Sequence, residues 1–336
     1  MNRMTLIASD TAPAATAKTS ATRAPEQLAA GVLLALGAGM MWGIVFIAPM
    51  LLGDYPGVVL SFGRYIAFGV IALVPAWVQR RRVAALTRAD WLRALQLSAV
   101  GNLLYYAMLA SAIQLAGAPL PTMLIGTLPV TIALYSNWLA RKGPDAIAWR
   151  KLAPSLAVIV AGLVLLNAGE LAQLGQVERS AADYALGGLL ALGALLAWTW
   201  YPVMNARHLH EHPHIDAASW VTAQGLATLP LALACYGVYG LVTPAFAFPL
   251  GPRPALFVGL MLAVGLLASW AANVLWNMAS RRVPPSLAGQ LIVFETLFAL
   301  LYAFIVRGAL PAPLVAGGIA LLCAGVWLGV RVFRRR

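Results

Sequence analysis

Charge is what this sequence has least of. Only 10% of its 336 residues are Asp, Glu, Lys or Arg, while 61% are hydrophobic; soluble domains carry about 25% charged residues. A soluble chain of this length has no interior large enough for so much apolar surface. The composition therefore excludes a soluble globular fold and leaves an integral membrane protein. Cysteine is scarce as well: Cys235 and Cys323 both fall in apolar runs, which argues against a disulfide framework and a thiolate metal site. No Gly-x-x-x-x-Gly-Lys-Ser/Thr loop occurs, so nucleotide-driven pumping by this chain is not expected. All four histidines, His208, His210, His212 and His214, cluster just beyond an apolar run, where they read as a solvated loop rather than a metal site. That placement rules out a histidine relay within the membrane, and with one carboxylate inside the runs it leaves no catalytic dyad. The chain is read as a non-enzyme without cofactor or metal.

What is present is a series of long apolar runs. A window of about 20 residues, enough to cross roughly 30 Å of hydrocarbon, finds ten: 28–51, 56–78, 91–115, 119–140, 152–169, 185–206, 216–240, 254–280, 285–306 and 312–332. These are called spans 1 to 10. Residues 1–27, rich in Ala, Thr and Ser, read as a disordered tail. The net charge of +12 sits in the short connections, which is how membrane orientation is signalled, whereas nucleic-acid binding would need a soluble basic face. With an inside start, nineteen of the 23 basic residues fall on the cytoplasmic side. Only Arg179, Arg253 and Arg307 fall outside, and Arg64 lies within a span. Both termini are thus expected in the cytoplasm.

The chain also repeats itself. Gly31 to Ala38, followed by Trp42, recurs as Gly187 to Ala194, followed by Trp198. Ser98, Asn102, Leu104 and Tyr105 recur 171 residues later as Ser269, Asn273, Leu275 and Trp276. Ile132 to Tyr135 is answered by Ala299 to Tyr302. The repeats divide the chain into 28–169 and 185–333, five spans each. Five is odd, so the second half enters the membrane from the opposite side. Inverted repeats supply two related conformations by exchange, with a site near the midplane. The fold expected is an all-α integral membrane protein of ten helices in a 5+5 inverted-topology repeat.

A five-plus-five inverted duplication resembles the drug/metabolite transporter superfamily of the EamA type. The Gly-x-x-x-x-Trp lead of each half (Gly37 to Trp42, Gly193 to Trp198), Arg64 in span 2 and Glu295 in span 9 are similar to that family. The likeness covers about residues 28–333. Thr296 stands where the family often has Pro after the ninth-helix Glu, so no hinge is carried over there. Within the superfamily, the Asn- and aromatic-rich spans 3 and 8 resemble the aromatic amino-acid exporters. The resemblance implies spans 5 and 10 at the periphery, and a secondary transporter of the bacterial inner membrane whose expected cargo is amino acids, the aromatic ones first. The runner-up is a carrier of the same fold for another small metabolite or drug. A lipid- or partner-binding scaffold would not need the inverted repeat.

Candidate substrate contacts follow from polarity inside the spans. Asn102 and Asn273 each donate and accept, which suits a zwitterion; Ser269 and Asn277 lie one turn to either side of Asn273. The alternative is that these groups bond helix to helix. Trp42, Phe46, Tyr105, Tyr106, Trp198, Tyr201, Trp270 and Trp276 lie on spans 1, 3, 6 and 8. They either sandwich a planar ring or cation or, at the span ends, belong to the interfacial belt. Trp42 and Trp198 sit midway along their spans, which the belt does not explain. Glu295 holds a substrate ammonium, carries a proton, or is a hydrogen-bonded packing residue. Arg64 snorkels, pairs with a carbonyl, or serves the site. Pro49, Pro129, Pro202 and Pro230 mark expected bends in spans 1, 4, 6 and 7.

Overall fold

The structure is a computed structural model that describes residues 25–116, 119–141, 148–171, 180–243, 248–308 and 310–334. The expected tail lies outside these residues up to position 24. From there the chain is helical, and no strand occurs among the described residues. The first stretch comprises α1 (Pro25–Gly43), a 3-10 turn (Ile44–Phe46), α2 (Ile47–Leu51), α3 (Gly57–Val78), α4 (Arg80–Ala84), α5 (Arg88–Ser98), a π-helical stretch (Ala99–Leu104) and α6 (Tyr105–Ala116). It continues through α7 (Pro119–Gly126), α8 (Leu128–Leu139) and α9 (Trp149–Leu171). The second half holds α10 (Ala181–Glu211), α11 (Ala217–Val242), α12 (Pro254–Val264), a second π stretch (Gly265–Ala271), α13 (Ala272–Ser280), α14 (Pro285–Leu291), α15 (Val293–Arg307) and α16 (Pro313–Arg334).

Local chemistry sets several of these boundaries. Thr87 caps α5 in a reciprocal box with Asp90, Ser180 caps α10 through the Asp183 amide, and Asp216 caps α11 through the Ser219 amide. At the end of α15 the backbone turns left-handed at Gly308, φ 62°. The expected proline bends fall differently. Pro202 and Pro230 lie inside the continuous helices α10 and α11, and Pro129 starts α8 just after a break at Thr127. Interruptions occur at the 3-10 turn of span 1 and at the two π stretches.

Among the described residues, six helical runs are long and apolar enough to cross a membrane: Gly57–Val78, Trp149–Leu166, Ala181–Glu211, Ala217–Val242, Pro254–Ser280 and Pro313–Arg331. Expected span 1 passes through the 3-10 turn, spans 4 and 9 break at Thr127 and Ile292, and Ser286–Tyr302 is a shorter apolar helix. Burial is inverted relative to a soluble protein. Trp77, Leu241 and Val74 are more than two-thirds exposed, while Ser61, Ser98, Gln224, Thr228 and Gln290 are buried. Apolar surface outside with polar groups turned inside is the arrangement hydrocarbon selects.

Packing between helices follows a pattern. α1 packs on α13 and α15, and α10 on α6 and α8; α3 packs on α11; α3 also meets the second π stretch as α11 meets the first. α8 packs on α14, and α9 on α16. Exchanging each span for its repeat counterpart maps this set of contacts onto itself. Close approach needs glycine at α9–α16, where a methyl on Gly162 or Gly318 would sit 2.9 or 2.8 Å from the other's carbonyl oxygen.

The two ends of the bundle differ. At one, the loop after α2 meets the segment before α12: Tyr55 donates to the Leu250 carbonyl (2.8 Å) and accepts from the Arg253 amide (2.7 Å), its ring stacks on Phe257, and Arg253 pairs with Asp54. At the other, a cavity of about 610 Å³ opens between the starts of α1 and α11 and the end of α13, lined by Gln27, Asp216, Val274, Met278 and Arg281.

Candidate functional site

The two π stretches lie in spans 3 and 8, the repeat partners that carry the Ser/Asn echo. A π turn adds a residue to the helix and rotates everything beyond it by roughly 100°. Asn102 lies within the first stretch and Ser269 within the second. Beyond them, rings from four spans converge. Trp42 (α1) contacts Trp198 (α10) at 5.9 Å, edge to face, and Trp276 (α13) at 5.2 Å. Trp198 continues to Tyr105 at 5.5 Å and Tyr201 at 6.0 Å, and Tyr105 meets Tyr106 at 6.4 Å. These are ordinary separations for offset and edge-on aromatic pairs. Six aromatic candidates thus form one cluster. The side chain of Phe46 lies outside the described residues.

The polar candidates divide. Ser98 and Asn102 turn the same way, toward α11, where Ser98 donates to the Gln224 carbonyl (3.1 Å) and Asn102 to the Thr228 hydroxyl (3.2 Å). Asn273 donates back to the carbonyl of Ser269 in its own helix (2.7 Å). The two amides do not bond each other. Asn277 is engaged elsewhere: its side-chain carbonyl accepts from Asn205 (2.7 Å), whose own carbonyl accepts from Trp220 (2.8 Å) and Gln224 (2.8 Å). Tyr201 closes that network by donating to Gln224 (2.9 Å). These buried bonds tie α10, α11 and α13 together, and leaving any of them unmade would be expensive. Asn205, Gln224, Trp220 and Thr228 were not picked out from the sequence. Intramembrane amides were a readable signal, but these have no echo in the other half.

Two charges stand beside the aromatic cluster. Arg64 (α3) donates through Nε to the Ser269 hydroxyl (2.9 Å) and lies over the Tyr65 ring at 5.2 Å. It neither snorkels nor meets a carbonyl, and its terminal nitrogens have no protein partner among the described residues. Glu295 (α15) likewise has no hydrogen bond or ion pair to its carboxylate among the described residues; the charge acting on it is that of Arg64. Tyr105 feels both charges. Tyr105, Tyr106 and Glu295 are each half-buried. Helices α1 and α15 approach closely beside them: a methyl on Gly39 would lie 3.0 Å from the Glu295 amide nitrogen.

The histidine reading is corrected. His208 is not in a solvated loop but in the last turn of α10, only 7% exposed, stacked on Trp220 at 4.4 Å. The run of polar residues from 207 to 214 concealed that α10 continues through half of it.

The chain matches the model of the EamA-like transporter family over residues 29–168 and again over 185–331. It is 47% identical over 306 residues to the "Inner membrane protein YtfF" of Escherichia coli (strain K12), covering 90% of this chain and 95% of that protein. An "Uncharacterized transporter" of Archaeoglobus fulgidus is 26% identical over 271 residues, 80% of this chain and 86% of the relative. A solved crystal structure shares the fold with a TM-score of 0.71 at 21% identity, over 91% of this chain and 98% of the other.

Proposed function

The chain belongs to the EamA-like transporter family, and from that premise we propose that it carries amino acids, the aromatic ones first, out across the inner membrane by alternating access. Ten spans arranged as two inverted halves, with both termini in the cytoplasm, form the carrier. The exchange symmetry of the helix contacts and the two separate family matches support that arrangement. Interrupted spans are tolerated in transporters where they line a site.

One observation carries the substrate reading: a cluster of six rings flanked by an Arg and a Glu whose charged ends lack fixed partners. Aromatic faces hold a planar side chain. Arg64 would receive the carboxylate, a charge-assisted bond, and Glu295 the ammonium. The substrate contacts assigned on this reading are Trp42, Trp198, Trp276, Tyr105, Tyr106, Arg64 and Glu295, with Ser269 holding Arg64. Asn102, Asn277 and Tyr201 serve to bind helices together. Rings and Glu295 would also suit a planar organic cation, the basis of the second reading as a drug or metabolite carrier; Arg64 disfavours it.

On the same topology, the end closed by Tyr55, Asp54 and Arg253 is the outer one, and the open cavity near Arg281 faces the cytoplasm. The conformation is then inward-open, the state that loads cargo for export. Uptake of labelled tryptophan, phenylalanine, threonine and a sugar into proteoliposomes tests the proposal. Tryptophan and phenylalanine should move and compete with one another. Movement of neither would end the amino-acid reading.

A further inference from the structure

At the end of the bundle that bears the open cavity, but apart from it, Asp90, His208 and His212 bring three potential ligand atoms within 4.8 Å of one another. Asp90 and His208 are buried. The surroundings prepare each ligand. Asp90 spends one carboxylate oxygen, Oδ2, on the Thr87 amide (2.8 Å) and hydroxyl (2.7 Å), which leaves Oδ1 to face His208. The Nδ1 of His212 lies 2.9 Å from the His208 carbonyl oxygen. A carbonyl only accepts, so Nδ1 carries the proton and Nε2 presents its lone pair outward. The Nε2 of His208 is buried without a hydrogen-bond partner, 3.3 Å from Asp90 Oδ1. A cavity of about 370 Å³ lies against all three residues and admits further ligands.

We propose that Asp90 Oδ1, His208 Nε2 and His212 Nε2 bind one divalent transition-metal ion, Zn²⁺ foremost. Two imidazoles and a carboxylate with an open fourth position form a familiar Zn²⁺ donor set, and imidazole nitrogen selects against Mg²⁺ and Ca²⁺. The hydrogen bonds that fix the His212 tautomer and hold Asp90 are the outer-shell support such a site needs. Bond lengths of about 2.0–2.2 Å require the three atoms to draw together slightly. His212, which ends α10 with non-helical backbone (φ −122°, ψ 71°), has the freedom to do so. Two cations also line this cavity, and each is engaged: Arg207 is paired with Glu211 (2.7 Å), and Arg93 donates to Gln96 and lies over the Trp200 ring.

The ion would bridge the start of α5 to the end of α10. On the carrier reading these belong to spans 3 and 6, so occupancy would clamp a moving helix to its neighbour and slow transport. The binding itself does not depend on that reading.

The test uses the full chain, purified in detergent on an affinity tag without histidine, and titrated with Zn²⁺ against a chromogenic chelator. One saturable equivalent is expected, with His212→Gln and His208→Gln each weakening it about tenfold or more. The exposed His210→Gln should leave it unchanged. Co²⁺ in the unmodified chain should give the visible spectrum of a low-coordinate site with imidazole ligands. Should His208→Gln fail to fold, His212→Gln at the rim of the site decides alone. Absence of a saturable equivalent, or undiminished binding by His212→Gln, overturns the site. A transport assay with and without Zn²⁺ then reports only on the clamp.

Discussion

Trp198 touches three other rings, Trp42, Tyr105 and Tyr201, while keeping part of its own surface open. Truncation there removes ring surface from the cluster without emptying a sealed core. Trp198→Ala is expected to raise the KM for tryptophan about tenfold, the equivalent of about 1.4 kcal/mol, and to leave the thermal midpoint nearly in place. Trp276→Ala, at a site only 4% exposed, should instead cost stability. Glu295 permits a sharper comparison, since only one end of the cargo meets it. Wild type should prefer tryptophan over its des-amino analogue, indole-3-propionate, and Glu295→Gln should lose that preference; a preference that survives would remove Glu295 from ammonium binding. Asn205 is of another kind. Asn205→Ala strands Trp220, Gln224 and Asn277, at a cost of about 1–2 kcal/mol in denaturant unfolding, kept low because helices unfolded within a membrane still find partners. The aromatic half of the site was legible because Trp42 and Trp198 repeat and sit mid-span. The split among the asparagines was not, because sequence periodicity gives a direction for Ser98 and Asn102 but not which acceptor waits there.

At the scale of elements, the helices were legible from apolar run length, and their interruptions were not. A π stretch needs only that one residue more than usual fit into a turn, which leaves no mark in hydropathy. The two here fall in repeat-related spans, and the first of them forms part of the contact between spans 3 and 6. Gly101 faces Tyr201 so closely that a methyl there would lie 2.3 Å from the ring. Gly101→Ala must therefore push the first π stretch and α10 apart, a strain of the kind that costs about 1–3 kcal/mol. Gly237 offers the control within a continuous helix, α11, with nothing within 4 Å of an added methyl. Gly237→Ala should be neutral or gain up to about 1 kcal/mol from helix propensity. Thermal melting of the two variants side by side checks both. Equal midpoints would mean that the spans 3–6 contact is loose. The misread histidines belong to the same lesson: a helix end carries its fold in its cap and neighbours, and the burial of His208 depends on α5 and Trp220, neither adjacent in sequence.

For the whole molecule, the proposed alternating access demands that the closed end be held by contacts that can be released at modest cost. The Tyr55 hydroxyl is well placed for that task, accepting from one residue and donating to another across the junction of the two halves. The Asp54–Arg253 pair beside it is exposed, so it contributes direction more than strength. The hydrogen bond from Arg253 holds the Asp54 carboxyl below the usual carboxylate value. A depressed folded value means that the pair's contribution is fully present above the ordinary Asp range and fades only as pH falls through the lower value. The outer latch should therefore be indifferent to pH between 5 and 8, and any pH dependence of transport in that window must arise elsewhere. Tyr55→Phe keeps the stack on Phe257 but leaves the Arg253 amide and Leu250 carbonyl without this partner. It should shift the population toward the outward-open form. With Cys235 and Cys323 replaced by Ser and a single cysteine placed at Ala48, buried one turn before the junction loop, labelling by a membrane-impermeant maleimide should accelerate in the Tyr55→Phe background. Unchanged labelling, together with unchanged transport, would mean that the hydroxyl merely fills the junction and that opening is governed by the helix contacts beneath it.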